Sequence, residues 1–417
     1  MKIGYQEKRV SCLVTIPGVT TLAVNIDPLK SGLACRDKVT ESLWLPEILY
    51  FGLRYRTSSG QYCWLNLRNK FAGQVPCSQD GSYRLELRVK YWIRPENLLV
   101  PLTRGLFFLQ IKDELRTGKL RCDTLEQRKR LVAIVARADF KQADKCTFVK
   151  IWEDLIRKPM LNDKIKEDIE MFYRYLEAEE VSCEAAIQRA LTLVSELRDY
   201  GVELHVASDS NVRKVGVGPM GVTLHCSGAA RLRSFSYEAL KRIETDEGKT
   251  TITFLNDDGT STAVPVQMTS VTTADRLYRA VTEMRSFFNG REISADVLNL
   301  CSRSLVGTVF SVFKQDSTLG QQYVCDVTYS MLEAYDETRR HLYKHGVLDL
   351  MATSATAATT SEQDNEDANF CDICYERLPS ASLKPCGHVI CFECGNKMSV
   401  CPWCRATVDS VIPKKLG

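Results

Sequence analysis

Eight residues near the end of the chain have the types and spacing of metal ligands. They are Cys371, Cys374, Cys386, His388, Cys391, Cys394, Cys401 and Cys404, in the pattern C-x2-C-x11-C-x1-H-x2-C-x2-C-x6-C-x2-C. Zinc takes four thiolate or imidazole ligands in a tetrahedron, and a two-residue gap lets paired cysteines grip one ion from a single turn. Eight ligands make two closed tetrahedra. A closed tetrahedron leaves no position for a substrate, so two structural zinc ions are expected rather than a catalytic one. The module spans fewer than fifty residues, too few to bury a sufficient apolar core, so its folding and its metal binding are expected to be coupled.

The rest of the chain must carry and aim this module. The other ten of the 17 cysteines, from Cys12 to Cys325, follow no pattern and read as reduced, mostly buried small residues. A secreted disulfide scaffold would need an export signal and would not confine its pattern to one end. The opening MKIGYQEKRV has no apolar core after its charges, so no signal peptide is expected. The longest apolar stretch, Leu43 to Leu53, is broken by Pro46 and Glu47 and falls short of the ~20 residues that span a bilayer. A net charge of +3 points to no nucleic acid partner and no obligatory membrane surface.

Composition breaks at residues 351–369, MATSATAATTSEQDNEDAN, which hold no aromatic, no glycine and no basic residue. Such a segment reads as a flexible linker. It separates the cysteine-rich module, residues 370–417, from a large body. Residues 1–93 are β-rich: Leu85, Leu87, Val89 and Tyr91 alternate with Arg84, Glu86, Arg88 and Lys90 in a half-buried strand, and 62–67 is a second candidate. Residues 94–200 turn helical. Thr124 and Gln127 fit a capping box ahead of Leu131, Ile134, Val135 and Ala138. Ile187, Ala190, Leu191, Val194 and Leu197 form a stripe, with Gly201 placed as a C-terminal cap. Both stripes read as the core of a helical bundle. Residues 201–290 return to strands. Val215 and Val217 turn through 218–221 into Val222 and Leu224, and 251–255 turns at Asp258-Gly259 into 262–268. A helix with Val271, Ala274, Leu277, Tyr278, Val281 and Phe288 at helical spacing closes this part. Hairpins closed by one helix form the pattern of a pleckstrin-homology or phosphotyrosine-binding sandwich. Residues 291–350 read as a mainly helical extension, clearest from Met331 to His345.

Three cysteines, one histidine in fourth place and four cysteines resemble a RING finger; a plant-homeodomain finger has its histidine fifth. The resemblance implies an interleaved ligand set, with Cys371, Cys374, Cys391 and Cys394 on one ion and Cys386, His388, Cys401 and Cys404 on the other. It further implies a groove for a ubiquitin-conjugating enzyme charged with ubiquitin, formed by Ile373, Pro402 and Trp403, with Met398 as an added apolar contact. Arg405 matches the family's linchpin arginine, whose forked guanidinium engages ubiquitin and the conjugating enzyme together. On this reading the protein is a ubiquitin ligase that works by orientation. A covalent ligase would need a reactive, metal-free cysteine, and every cysteine of the module is a zinc ligand in this scheme. Local packing is the competing reading of Ile373 and Trp403, and a solvated surface position that of Arg405.

The order β-rich, helical, sandwich resembles a FERM domain, with ubiquitin-like, acyl-CoA-binding-protein-like and phosphotyrosine-binding-like lobes. The strings YFGLRYR, WLNLRNK and YRLELRVKYW resemble the first lobe, RGLFFLQIKDELRTGKL the second, and VGVGPMGVTLH and DRLYRAVTEMRSFF the third. The fold class expected is therefore multidomain α+β: a three-lobed FERM domain, a helical extension, a linker and a zinc RING finger. FERM followed by RING resembles a family of ubiquitin ligases whose third lobe grips receptor cytoplasmic tails. RSLVGTVFSVF and RRHLYKHGVLDL within 291–350 extend that likeness. In this family Tyr278 and Thr282 match target-binding positions, one helical turn apart; they read equally well as core and ordinary surface. Val408, Val411 and Ile412 match residues that pair two RINGs into a homodimer, and a packed or frayed terminus is the alternative. Extra cysteines ahead of the RING, implicated in iron binding in a member of the family, are missing from this linker, so no iron site is expected. The resemblance implies a cytoplasmic protein, peripheral at the plasma membrane, with a receptor tail or a cortical or cytoskeletal protein as target. A phosphoinositide is an open partner, without a dense basic run to hold it. The rival expectation is a non-enzymatic scaffold that uses its RING only for assembly.

Overall fold

The structure is a computed structural model that describes residues 9–18, 21–58, 60–155, 162–209, 211–227, 232–290, 326–345, 380–401 and 406–413. The linker 351–369 and most of the extension lie outside the described residues. The chain divides into two compact units, Met1–Ser330 and Met331–Gly417.

The first unit opens with β1 (Val10–Thr15), β2 (Leu22–Ile26), helix α1 (Gly32–Leu43), β3 (Phe51–Arg56), β4 (Tyr62–Trp64) and β5 (Tyr83–Val89). They form one sheet in the order β2-β1-β5-β3-β4. The central β1–β5 pair is parallel, with Val14 opposite Leu85, and the other neighbours are antiparallel. Alternation decides the faces: Leu85, Leu87 and Val89 are buried, while Arg84 is exposed and Glu86 and Arg88 are partly buried in ion pairs on the other face. The expected strand at 62–67 is shorter. The sheet ends at Trp64, and the Leu67 amide donates to the Asp326 carboxylate at 2.8 Å instead of to a neighbouring strand.

A helical lobe follows: α2 (Pro101–Thr117), α3 (Leu125–Asp139), α4 (Lys145–Leu155), α5 (Asp163–Ala178) and α6 (Cys183–Ser195). Thr124 caps α3 through the reciprocal box expected from the sequence, its hydroxyl accepting from the Gln127 amide at 3.1 Å. Leu131, Val135 and Ala138 face the core with Ala190, Leu191 and Val194 of α6. One expectation fails here. Helix α6 ends at Ser195 with Glu196 as its cap. Gly201, at φ +64°, belongs to the later turn into the next strand. A Cβ there would meet the Trp92 Cβ at 2.5 Å, so close packing rather than helix termination selects glycine.

The third lobe holds two antiparallel sheets, β6 (Glu203–Val206), β7 (Val212–Gly218), β8 (Gly221–Cys226) and β9 (Leu232–Phe235), then β10 (Leu240–Asp246), β11 (Lys249–Leu255) and β12 (Ser261–Gln267). Helix α7 (Val271–Phe288) closes them, packing on β7, β8, β10 and β11. Both expected hairpins form, with Val217 opposite Val222 and Leu255 opposite Ser261. On α7 the buried stripe is Ala274, Leu277, Tyr278, Val281, Met284 and Phe287, whereas Val271 is exposed in the first turn and Phe288 is half-buried.

A buried charge cluster ties α7 to the first lobe. Glu283, 2% exposed, meets Arg279 Nε at 2.8 Å and Lys90 Nζ at 2.7 Å. Asp326 meets Arg279 Nη2 at 2.7 Å and Arg68 Nε at 3.2 Å. Arg279 also donates to the Trp64 carbonyl at 3.1 Å. Burial by itself would raise the Glu283 pKa, but Arg279 and Lys90 override it and hold the carboxyl down to about 2. Among the described residues the scattered cysteines are free thiols, as expected, but fewer are buried than expected: Cys12 and Cys35 are buried, Cys63, Cys122, Cys183 and Cys226 are half-buried, and Cys77 is exposed. Cys12 and Cys35 sit together, and the contact with Cys12, followed by burial, pushes the Cys35 thiol up.

Candidate metal centre

The second unit begins with helix α8 (Met331–Lys344) and continues in β13 (Ala381–Lys384), β14 (Val389–Ile390), the one-turn helix α9 (Phe392–Gly395) and β15 (Ser410–Pro413). The sheet order is β14-β13-β15. Between β13 and β14 the chain reverses through Pro385, Cys386, Gly387 and His388, closed by Gly387 N donating to Leu383 O at 2.7 Å and Leu383 N to His388 O at 2.9 Å. Gly387 has φ +71°, a conformation that costs glycine nothing. The turn sets Cys386 and His388 side by side.

Cys401 joins them from the loop after α9. Its amide donates to Ala406 O at 2.8 Å, and an antiparallel bridge pairs Val400 with Thr407. The donor atoms of Cys386, His388 and Cys401 all lie within 4.8 Å of one another, and His388 Nδ1 is 3.4 Å from Cys401 Sγ. Zinc–nitrogen and zinc–sulfur bonds of about 2.0 and 2.3 Å at the tetrahedral angle place two such donors about 3.5 Å apart. The donor set, its chemistry and its spacing therefore fit a zinc ion held through Nδ1. Cys391 and Cys394, which intervene in sequence, do not join this group. Cys391 caps α9 and its sulfur accepts from the Cys394 amide at 3.4 Å.

Around the donors lies a small core of Leu383, Cys386, Ile390, Cys391 and Cys401, with Cys394, Met398, Ala406, Val408 and Val411 packed against it. Gly395 is required by this packing, since a Cβ there would meet Val411 Cγ1 at 2.8 Å. Met398 is partly buried against the core. Val408 and Val411 likewise spend part of their surface inward, while Ile412 is exposed on β15 at the edge of the sheet. Cys371, Cys374, Cys404, Ile373, Pro402, Trp403 and Arg405 lie outside the described residues.

The candidate target residues sit on α7. Tyr278 is 7% exposed and belongs to the sandwich core. The Thr282 hydroxyl, half-buried, donates to the Tyr278 carbonyl at 2.8 Å. Of the two readings the sequence left open, burial fits Tyr278 as core, while Thr282 keeps part of its surface outward. Asp336, whose carboxylate approaches His388 at 3.0 Å, was missed as well. No local pattern marks a residue whose partner lies beyond the linker.

With fold and donors in place, the class is defined: a FERM domain joined to a C-terminal RING zinc finger. Residues 14–77 match the FERM N-terminal domain, 94–205 the FERM central domain, and 367–411 the zinc finger of C3HC4 type (RING finger). Among curated relatives, the chain is 25% identical to human Band 4.1-like protein 4A over 67% of its own length and 41% of the relative. It is 24% identical to human tyrosine-protein phosphatase non-receptor type 4 over 68% of its own length and 31% of the relative. The chain thus spans less than half the length of these relatives. Among solved structures, the complex of the FERM and C-terminal domains of Drosophila Merlin superimposes with a TM-score of 0.58 at 18% identity, covering 66% of this chain and 95% of that one. The Dictyostelium discoideum myosin VII MyTH4-FERM MF2 domain gives 0.51 at 13% identity, covering 67% and 59%. These likenesses show the fold. Among the described residues no helix is long and apolar enough to cross a membrane.

Proposed function

We propose that this protein is a RING-type ubiquitin ligase that selects its target through the FERM body. The observation that carries the reading is the convergence of Cys386, His388 and Cys401 while Cys391 and Cys394 stand apart. That is the alternation an interleaved two-ion RING requires, placed at the end of a FERM chain. Two zinc ions would be held by Cys371, Cys374, Cys391 and Cys394, and by Cys386, His388, Cys401 and Cys404. Bound zinc supplies cross-links in place of a larger core. The loops so fixed present Ile373, Pro402 and Trp403 to a charged conjugating enzyme, with Met398 lending its exposed part. Arg405 orients the thioester for attack, a contribution of geometry rather than of covalent chemistry.

For the target, α7 packs on β10, which is an edge strand of its sheet among the described residues. An edge strand beside a helix can accept an extended peptide as an added strand. This suits a receptor cytoplasmic tail or a cortical protein and a peripheral place at the plasma membrane. The pairing is that of the myosin regulatory light chain interacting protein, also called the inducible degrader of the low-density lipoprotein receptor. Degradation of the target and self-ubiquitination follow on this reading. Phosphoinositide binding and RING pairing through Ile412 are secondary parts of it.

A reconstituted chain-forming reaction tests the proposal, run with several conjugating enzymes on the intact protein, Arg405→Ala and Ile373→Ala. Activity in the intact protein and its loss in both variants is the expected result. Equal inertness of all three, with zinc bound, would favour a scaffold that links membrane proteins to the cortex.

A further inference from the structure

Three contacts join α8 to the turn that carries Cys386 and His388. Asp336 Oδ1 lies 3.0 Å from His388 Nε2, the Arg339 guanidinium donates to the Gly387 carbonyl, and Lys384 Nζ stands 5.1 Å from the centre of the Tyr343 ring. Asp336, Arg339 and Tyr343 are spaced by three and four, so they share one helix face. Asp336 is 4% exposed. The Nε2···Oδ1 approach is bent away from the ring N–H line, and Oδ1 has no straight hydrogen bond among the described residues. A buried carboxylate oxygen in that position is costly unless a strong donor faces it.

The two imidazole nitrogens of His388 are thereby divided. Nδ1 faces Cys401 Sγ and the donor group. Nε2 faces a buried carboxylate, which favours the tautomer with its proton on Nε2 and its lone pair on Nδ1, the form that can ligate. A cation on Nδ1 polarises the Nε2–H and strengthens the contact in return. We propose that Asp336 positions the His388 imidazole for zinc, so that α8 is part of the metal module. The inference rests on the zinc reading above and assigns a role to a helix outside the cysteine pattern.

The test uses the full chain. Wild type, Asp336→Ala, Asp336→Asn, His388→Cys and the double variant Asp336→Ala/His388→Cys are compared, with Glu337→Gln on the same helix as a control. Bound zinc is counted by elemental analysis, and its release to a chromogenic chelator is timed. Loss of Asp336 is expected to speed release of one of the two ions by about 10–100-fold. Asparagine, which keeps an oxygen acceptor, should act more mildly, and Glu337→Gln should change nothing. In the His388→Cys background there is no imidazole to position, so Asp336→Ala should have no further effect. The imidazole nitrogens are read directly by NMR, where five histidines give few signals: a slowly exchanging Nε2–H on His388 is expected in wild type. Unchanged release in Asp336→Ala, equal effects in both backgrounds, or a His388 proton on Nδ1 would overturn the proposal. Should Asp336→Ala fail to fold, the wild-type tautomer and the asparagine variant decide. A wild type that binds no zinc would instead overturn the zinc reading, and this proposal with it.

Discussion

Lys90 at the end of the first-lobe sheet and Glu283 on the third-lobe helix meet at 2.7 Å, at 9% and 2% side-chain exposure. The pair joins elements far apart in sequence, and Arg279 and Asp326 complete it. A buried cluster of this kind stabilises little compared with an apolar replacement, but it penalises loss of a single member heavily. It therefore fixes the placement of the two lobes more than it adds to their stability.

Replacing Glu283 with glutamine leaves Lys90 buried without its countercharge and Arg279 with Asp326 alone. The expected cost is about 3–5 kcal/mol, measured by denaturant unfolding of the intact chain followed through tryptophan fluorescence. A cost under about 1 kcal/mol would mean that the charges are solvated. Lys90→Met/Glu283→Leu, which removes one charge of each sign, should cost less than either single change.

The same carboxyl gives a pH signature. Its folded pKa, held down to about 2, lies below the usual glutamate value, so its stabilising contribution is fully present above that usual value. The contribution falls away as pH drops from about 4.5 to about 2. Stability against pH should show this slope in wild type and lose part of it in Glu283→Gln. Identical slopes would contradict the assignment.

Zinc removal should act on one unit alone. Chelation is expected to abolish amide protection in Ala381–Lys384 and Ser410–Pro413, because that sheet rests on a core built largely of ligand cysteines. Protection of Leu85, Leu87 and Val89 should persist. Hydrogen exchange with and without a chelator measures both, and retained protection in β13 would show a core that folds without metal.

The cap of α3 offers a local check. Thr124→Ala removes the acceptor of the Gln127 amide and should cost about 1 kcal/mol. Thr124→Ser should restore most of it. Thermal unfolding distinguishes the two, and equal melting would mean that water serves the cap as well.

Arg405→Lys keeps the charge but not the fork. If the guanidinium holds ubiquitin and its carrier together, the substitution should slow discharge about 100-fold while zinc content stays at wild type. Single-turnover discharge of a charged conjugating enzyme measures this, and an unchanged rate would remove Arg405 from the mechanism.

Sequence by itself determined what depends on neighbours along the chain. The alternation of Leu85, Leu87 and Val89, the Thr124–Gln127 box, the two hairpins of the sandwich and the spacing of Cys386, His388 and Cys401 are all local patterns, because backbone geometry repeats every two or 3.6 residues. Tertiary structure decided what no local pattern holds. It buried Tyr278, moved Gly201 from a helix cap to a close contact with Trp92, and cut β4 short by giving the Leu67 amide to Asp326. It also set Asp336 against His388 and Lys90 against Glu283. Each of these pairs joins groups brought together only by packing, where burial strips away water and makes the partner a charge or amide finds there decisive.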